Sequence, residues 1–331
     1  MAKLKDIERF KFVMPTKNMT IENEDSLINS VRRALFSYFK LEPANSKDKF
    51  IDALKWFVYE EYNNPINEWN LASCPNCHEK NIELKYNEME DYEFKCQKCG
   101  GKIYLTDVFR LHEAIDNELG AGGILGYTMT LLEQILLVHI IRLILKIKPN
   151  LLKEILFIKD GPLAFFGQTA NMHGPMRILV KYLFDNYNLF LAGLEKSGPF
   201  VEHAHEISNK LSPNEVLILT NDYIYKYILP GKSEIDRPYG DTTYYGSKVI
   251  FKSEDDRMYV VTLPTIEPQV SPQLDDLRNI HIVLNNIAKL KCDMYDDSLV
   301  PIALVNKLVS LANHPSSVIL EKFVKEQICK N

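Results

Sequence analysis

Cys74, Cys77, Cys96 and Cys99 constrain this chain more than any other feature. They form two Cys-x2-Cys pairs separated by eighteen residues, and Gly100 and Gly101 follow the second pair. Each pair turns two thiolates to one side of a tight loop, and two such turns supply the four sulfurs of a tetrahedral zinc site. The glycines lend the second turn backbone freedom. Four thiolates leave no open coordination position, so this Zn2+ is structural and not catalytic. Sites of this kind contribute roughly 10–16 kcal/mol of apparent binding energy to folding. The polar segment Asn81 to Phe94 alternates enough to form the two strands of a ribbon. His78 adjoins the site and reads as a surface residue, while Cys292 and Cys329 stand apart and read as structural or inert.

The chain has 331 residues, enough for one large domain with an insert or for two modest domains. Hydrophobic residues at 46% and charged residues at 25% match a folded globular chain, which argues against disorder. The net charge of −5 excludes a bulk basic field for nucleic acid but leaves a local basic groove open. Met1 to Asp6 carries charges and no apolar signal core, and the cysteine usage fits a reducing compartment, so a cytoplasmic location is expected. The most apolar stretch, Leu125 to Ile147, contains Glu133, His139 and Arg142. A membrane would charge roughly 2.5–3.5 kcal/mol for each central ionised group. A buried helix and no membrane contact are expected instead.

Hydrophobic periodicity predicts a helix from Ser26 to about Phe39, capped by Asp25, and a second from Lys47 to about Tyr62. Thr106 to Asn117 reads as helical with His112 and Glu113 exposed, Gly120 to Gly123 as a loop, and Ile124 to about Lys148 as a long helix. Three apolar runs then read as strands: Glu154–Ile158, Leu189–Leu194 and Val216–Leu219. Helices from Gly174 to Tyr187 and from about Val201 to Leu211 separate them, a pattern that implies parallel crossovers. Tyr244–Lys252 and Arg257–Leu263 read as an antiparallel hairpin, and a helix from Leu274 to Leu290 follows. The expected fold class is α/β. Its parts are a helical segment over 1–69, the zinc ribbon over 70–105 and a core over 106–331.

Ligands of an open α/β sheet gather at the carboxyl ends of parallel strands. Asp160, Glu195 and Asp222 follow the three predicted strands. Carboxylates within about 4 Å repel by roughly 4 kcal/mol per pair at an effective dielectric of 20. A hard cation such as Mg2+ or Mn2+ offsets that repulsion. Two such metals clamp the oxygens of an in-line phosphodiester displacement. Asp160 precedes Gly161 and Pro162, a sharp exit that presents the carboxylate at a strand tip or forms an ordinary Asp-Gly turn. Glu133 lies among Leu131, Leu132, Ile135, Leu136 and Leu137, where a buried carboxylate needs a partner. A metal, Arg142 and a neighbouring lysine are the candidates. Lys196 can contact a phosphate or pair with Glu195.

The run Phe157–Gln168 and the preceding Met129–Arg142 resemble central motifs of the NurA nuclease family. Gly193–Ala204, Asn221–Tyr227 and Arg237–Gly246 extend the resemblance, which covers about residues 10 to 312. A zinc-ribbon insert ending like Ile103–Phe109 is similar to that of a bacterial branch of the family. The resemblance implies an RNase H-like core and a Mn2+-dependent DNA nuclease. It also implies a homodimer that works with a HerA-like hexameric ATPase in DNA end processing and repair or in phage defence. Glu133 and Asp160 match two metal-binding acids, and Glu195, Lys196, Asp222 and Tyr245 fall in matching blocks.

Two departures accompany the resemblance. Family members carry a strand with an Asp-Gly motif upstream of a loop like Val13–Asn18, and this chain begins almost at that loop. The first metal-binding Asp is therefore expected to be missing, and Asp6 does not replace it. Leu299–Asn306 matches a block that usually ends in His; Asn306 hydrogen-bonds but does not titrate. Three readings follow: an active nuclease, a catalytically degenerate NurA-fold subunit that binds or regulates a HerA-like ATPase, and a zinc-ribbon nucleic-acid adaptor. The last uses Lys80, Lys85, Lys95, Lys98 and Lys102, which otherwise form a solvated face.

Overall fold

A computed structural model describes residues 13–15, 20, 24–42, 47–115, 124–165, 171–230, 235–293 and 298–309. Asp6, Gly120–Gly123 and Cys329 lie outside the described residues.

Helix α1 (Leu27–Phe39) is capped by Ser26, whose hydroxyl accepts the Asn29 N–H at 3.2 Å. The expected cap, Asp25, instead accepts the Asn29 side-chain amide. Helix α2 (Phe50–Val58) is shorter than its periodicity suggests, because Glu60 adopts a left-handed φ of 51° just beyond it. Strands β1 (Glu68–Ser73) and β2 (Lys80–Lys85) form one antiparallel hairpin; β3 (Glu93–Lys95) and β4 (Lys102–Tyr104) form another. The two strands expected within Asn81–Phe94 therefore do not pair with each other. Each Cys-x2-Cys is itself a hairpin turn, so the paired strands flank the cysteines. Two 3-10 turns, Leu105–Phe109 and Leu111–Ala114, replace the helix expected over Thr106–Asn117. Arg110, at φ 56°, separates them and rotates His112 into the interior.

Helix α3 (Leu125–Ile147) precedes β5 (Leu156–Asp160), α4 (His173–Tyr187), β6 (Phe190–Glu195), α5 (Pro199–Glu206) and β7 (Val216–Ile218). A short α6 (Asn221–Tyr223) runs into a π-helical turn, Ile224–Ile228. Strands β8 (Gly246–Lys252) and β9 (Met258–Pro264) form the expected hairpin, followed by α7 (Ile280–Lys289) and α8 (Val300–Val309). The resulting mixed α/β fold centres on a five-stranded sheet of order β5-β6-β9-β8-β7.

Only β5 and β6 are parallel neighbours in this sheet. Three antiparallel steps separate β6 from β7, so β7 runs against β5 and β6. The expected run of three parallel strands is thus corrected. The β8–β9 hairpin, later in the chain, inserts between β6 and β7 and reverses the last strand. Alternation along the strands divides the apolar side chains. Ala192, Leu194, Val249 and Val261 pack beneath α7 and α8, while Ile250 and Val260 pack beneath α5 and the π turn. A third cluster joins α1, α2, both cysteine hairpins, α3 and α4. The ribbon therefore shares its core with the N-terminal helices and does not stand apart as an appendage. Arg32 of α1 makes a buried two-pronged pair with Asp107, at 2.9 and 2.7 Å, and also donates to the Lys102 carbonyl.

Candidate functional site

The four cysteine sulfurs lie within 4.8 Å of one another. Cys74 and Cys99 are 3.9 Å apart and Cys77 and Cys96 3.8 Å apart, Sγ to Sγ. A tetrahedron with Zn–S bonds of about 2.3 Å has edges of about 3.8 Å, so the residues fit the ion. Backbone N–H groups point at the sulfurs: Asn76 N to Cys74 Sγ at 3.4 Å and Gly101 N to Cys99 Sγ at 3.3 Å. Burial works to raise the Cys96 thiol. The N–H groups of Cys99 and Lys98 and the neighbouring thiols outweigh it and bring the group down to about 7. At Cys96 such donors favour the thiolate a cation needs, whereas burial holds the Cys74 thiol above its ordinary value. His78 is exposed, as expected. Near the site, Lys98 pairs with Glu79, Lys102 with Glu93 at 2.7 Å and Lys85 with Glu83 at 3.6 Å. Three of the five ribbon lysines are neutralised in this way, as on a solvated face; Lys80 and Lys95 are exposed.

Asp160 and Glu195 lie at the tips of β5 and β6, Glu133 reaches the first of these from α3, and each is paired with a lysine. Asp160 ends β5, and its Oδ2 accepts Lys196 Nζ at 2.8 Å. Lys196 thus pairs with Asp160 and not with its neighbour Glu195. Glu133 on α3 receives Lys159 Nζ at 3.1 Å, and the same ammonium donates to the Asp160 carbonyl at 3.0 Å. Glu195 ends β6 and pairs with Lys248, whose side chain is only 2% exposed. Lys248 lies over the rings of Phe200 and Tyr244, at 4.2 and 4.8 Å. Burial pulls its ammonium below the ordinary lysine range, and Glu195 pulls the other way. Cation–π contact and ion pairing together offset the cost of burying that charge.

Several expected placements change. Glu133 is half-exposed at the rim of α3 and not buried among the leucines; its partner is the lysine alternative, because Arg142 is taken by Asp48 at 3.0 Å. Strand alternation sends Lys159 and Asp160 to opposite faces of β5. Glu133 follows Lys159, so its carboxylate approaches the tip from the face away from that of Asp160. Asp222 is exposed just beyond β7, the far edge strand, about four strand spacings or 19 Å from β5. The reversal of β7 leads it toward the amino ends of β5 and β6. Asn306 is exposed on α8. Among the described residues, the four cysteines are the one group of three or more metal-type ligands brought within reach of a single ion.

The exit from β5 is built by close approach. Gly161 adopts φ 90° and its N–H bonds the Leu194 carbonyl at 2.7 Å. The chain then crosses Gly193, where a Cβ would sit 2.6 Å from the Gly161 carbonyl oxygen. Tyr245, matched to a family block, is fully buried and donates its hydroxyl to Gln134 Oε1 at 2.7 Å. Gln134 in turn donates to the Ala164 carbonyl at 3.1 Å. These bonds lock the Glu133 helix to the Asp160 exit. Sequence reasoning missed Lys159, Lys248 and Gln134. The legible signal was a lysine or amide placed within an apolar strand or helix, which needs a buried partner. No protein-family model, curated protein or solved structure matches the chain.

Proposed function

We propose that this chain is a NurA-type, metal-dependent DNA nuclease with an RNase H-like core, acting in DNA end processing or phage defence beside a HerA-like ATPase in the cytoplasm. One observation carries the reading. Asp160 and Glu195 end the two parallel strands, Glu133 reaches the β5 tip through Lys159, and each of the three carboxylates pairs with a lysine there. Carboxylates there suit Mn2+ or Mg2+, and lysine ammonium groups suit the phosphate that the metal would polarise. Asp160 and Glu133 are the proposed metal ligands, Lys196 the phosphate contact.

A specific observation favours a second reading. Each of the three carboxylates already has a lysine counter-ion, so its charge is balanced without a metal. That arrangement suits a catalytically degenerate subunit that binds or regulates the ATPase. The purified chain, assayed on labelled single- and double-stranded DNA with Mn2+, separates the two. The nuclease reading expects cleavage that Asp160→Ala and Glu133→Ala each abolish. Cleavage surviving both changes sinks the site assignment. No cleavage, together with co-purification of an ATPase, establishes the second reading.

A further inference from the structure

Among the described residues, Arg177 on α4 is a buried cation that no carboxylate meets. Only 8% of it is exposed. The other buried lysines and arginines are paired: Arg32 with Asp107, Lys248 with Glu195 and Lys252 with Asp256. Arg177 has neutral acceptors instead. Its Nη1 donates to the Thr265 carbonyl and hydroxyl, at 2.8 and 2.7 Å, and its Nη2 to the Tyr244 carbonyl at 3.1 Å. Its Nε has no partner. Burial pulls the guanidinium down to about 10, and the more distant Glu267 and Asp241 pull the other way. A buried charge ordinarily keeps an ionised partner, so the fold leaves Arg177 short of an anion.

Arg177 lines a groove of about 880 Å³ between α4, the turn after α2 and the segment after β9. His173 and Lys181 line it too. Each stands four residues from Arg177, so the three share one face of α4. Helical side chains lean toward the amino end, which turns Lys181 and Arg177 toward the first turn. That turn has no side-chain cap, and its leading N–H groups, those of His173 and Gly174, have no partner within the helix. A Cβ at Gly174 would meet nothing within 4 Å, so open space lies beside them. His173 Nδ1 is buried and also without a partner. Three carboxylates line the groove as well and do not cancel these charges. Asp185 is taken by Arg278 at 2.8 Å, Glu267 is exposed, and burial raises the Glu60 carboxyl toward its neutral form.

We propose that this groove binds a phosphate monoester group, held by the first-turn N–H groups of α4, by Lys181 and by the unpaired charge of Arg177. A helix N-terminus favours an anion through its free N–H groups and its dipole. Lysine and arginine supply the positive charge a phosphate requires. Two sources carry that chemistry: a free phosphate monoester such as a nucleotide, and the phosphorylated end of a DNA strand. The site makes no use of Asp160 or Glu133, so it stands whether or not the chain cleaves DNA.

Inorganic phosphate is the probe, added to the full chain at constant ionic strength against chloride. Phosphorus NMR line broadening and the melting temperature report binding. The wild type is expected to broaden the phosphate signal and to melt higher in phosphate than in chloride. Lys181→Met should weaken binding about tenfold, the loss of one charge-assisted contact. Gly174→Asp should abolish binding without lowering the melting temperature in chloride, because its Cβ has room and a carboxylate in the first turn favours the helix. A purely structural role for this turn would not separate those two readouts. Displacement of bound phosphate by adenosine monophosphate assigns the free monoester. Displacement by a phosphorylated oligonucleotide, and neither by its unphosphorylated form nor by adenosine monophosphate, assigns the DNA end. Displacement by none of them overturns the ester assignment. A wild type that does not distinguish phosphate from chloride, or binding that survives both substitutions, overturns the site.

Discussion

Gly193→Ala should unseat the Asp160 exit. A Cβ at position 193 would lie 2.6 Å from the Gly161 carbonyl oxygen, 2.8 Å from the Leu163 nitrogen and 3.0 Å from the Pro162 carbonyl carbon. Comfortable contacts begin near 3.5 Å. All three neighbours are backbone atoms, so no side-chain rotation relieves the overlap. The crossing segment is also pinned on both sides, by Gly161 N–H to the Leu194 carbonyl at 2.7 Å and by Tyr245 N–H to the Leu163 carbonyl at 3.1 Å. One methyl inserted into a packed site costs about 1–3 kcal/mol. Losing the Gly161 bond adds about 1 kcal/mol. The sum, about 2–4 kcal/mol, is a large share of the roughly 5–15 kcal/mol that holds a native protein together. It corresponds to a fall in melting temperature of about 3–6 °C for a chain of 331 residues. Urea unfolding followed by circular dichroism measures it. Gly126→Ala is the control: it lies in α3 with nothing within 4 Å, and it should stabilise slightly. If Gly193→Ala unfolds within about 0.5 kcal/mol of the wild type, the exit does not cross β6 at this point and the account of Asp160 positioning is wrong.

Two further outcomes follow from the buried groups. The purified chain should carry one zinc per protomer by elemental analysis, and a strong chelator should melt α1 and α2 along with the ribbon, because they share one apolar cluster; full helicity after complete zinc loss contradicts this. Burial, aided by Arg142, lowers His139 below its ordinary value of 6.5, and burial likewise lowers His112, so the folded chain binds fewer protons than the unfolded chain just below that pH. Their contribution is complete above about 6.5 and is lost as pH falls toward the folded values. The urea midpoint should therefore drop between pH 7.5 and pH 5, and His139→Leu should reduce the drop.

Much of the fold was legible in the sequence because local physics dictates it. Two Cys-x2-Cys turns at the right spacing bring four thiolates to one point whatever surrounds them. Helical periodicity marked α1, α3 and α4, and short apolar runs marked β5, β6 and β7. The edges moved where a residue took a left-handed conformation, as at Glu60 and Arg110. Those conformations answer to tertiary packing and leave little trace in residue type.

The site was less legible. Asp160 and Glu195 were correctly set at neighbouring strand tips, since a parallel crossover brings consecutive strands together. Asp222 was not, because the direction of β7 depends on a hairpin that enters the sheet later in the chain. Glu133 was assigned to the interior from its leucine neighbours, yet a helix has two sides, and only the packing of α3 shows which side meets the core. By itself, the sequence determined the cysteine cluster that could hold a metal ion and most of the longer helices and strands, since both depend on residues close together along the chain. Only the tertiary structure decided which lysine each carboxylate keeps, which end of the sheet Asp222 joins and which face of α3 meets the core. Those are contacts between distant segments, and their energies depend on how the sheet is ordered.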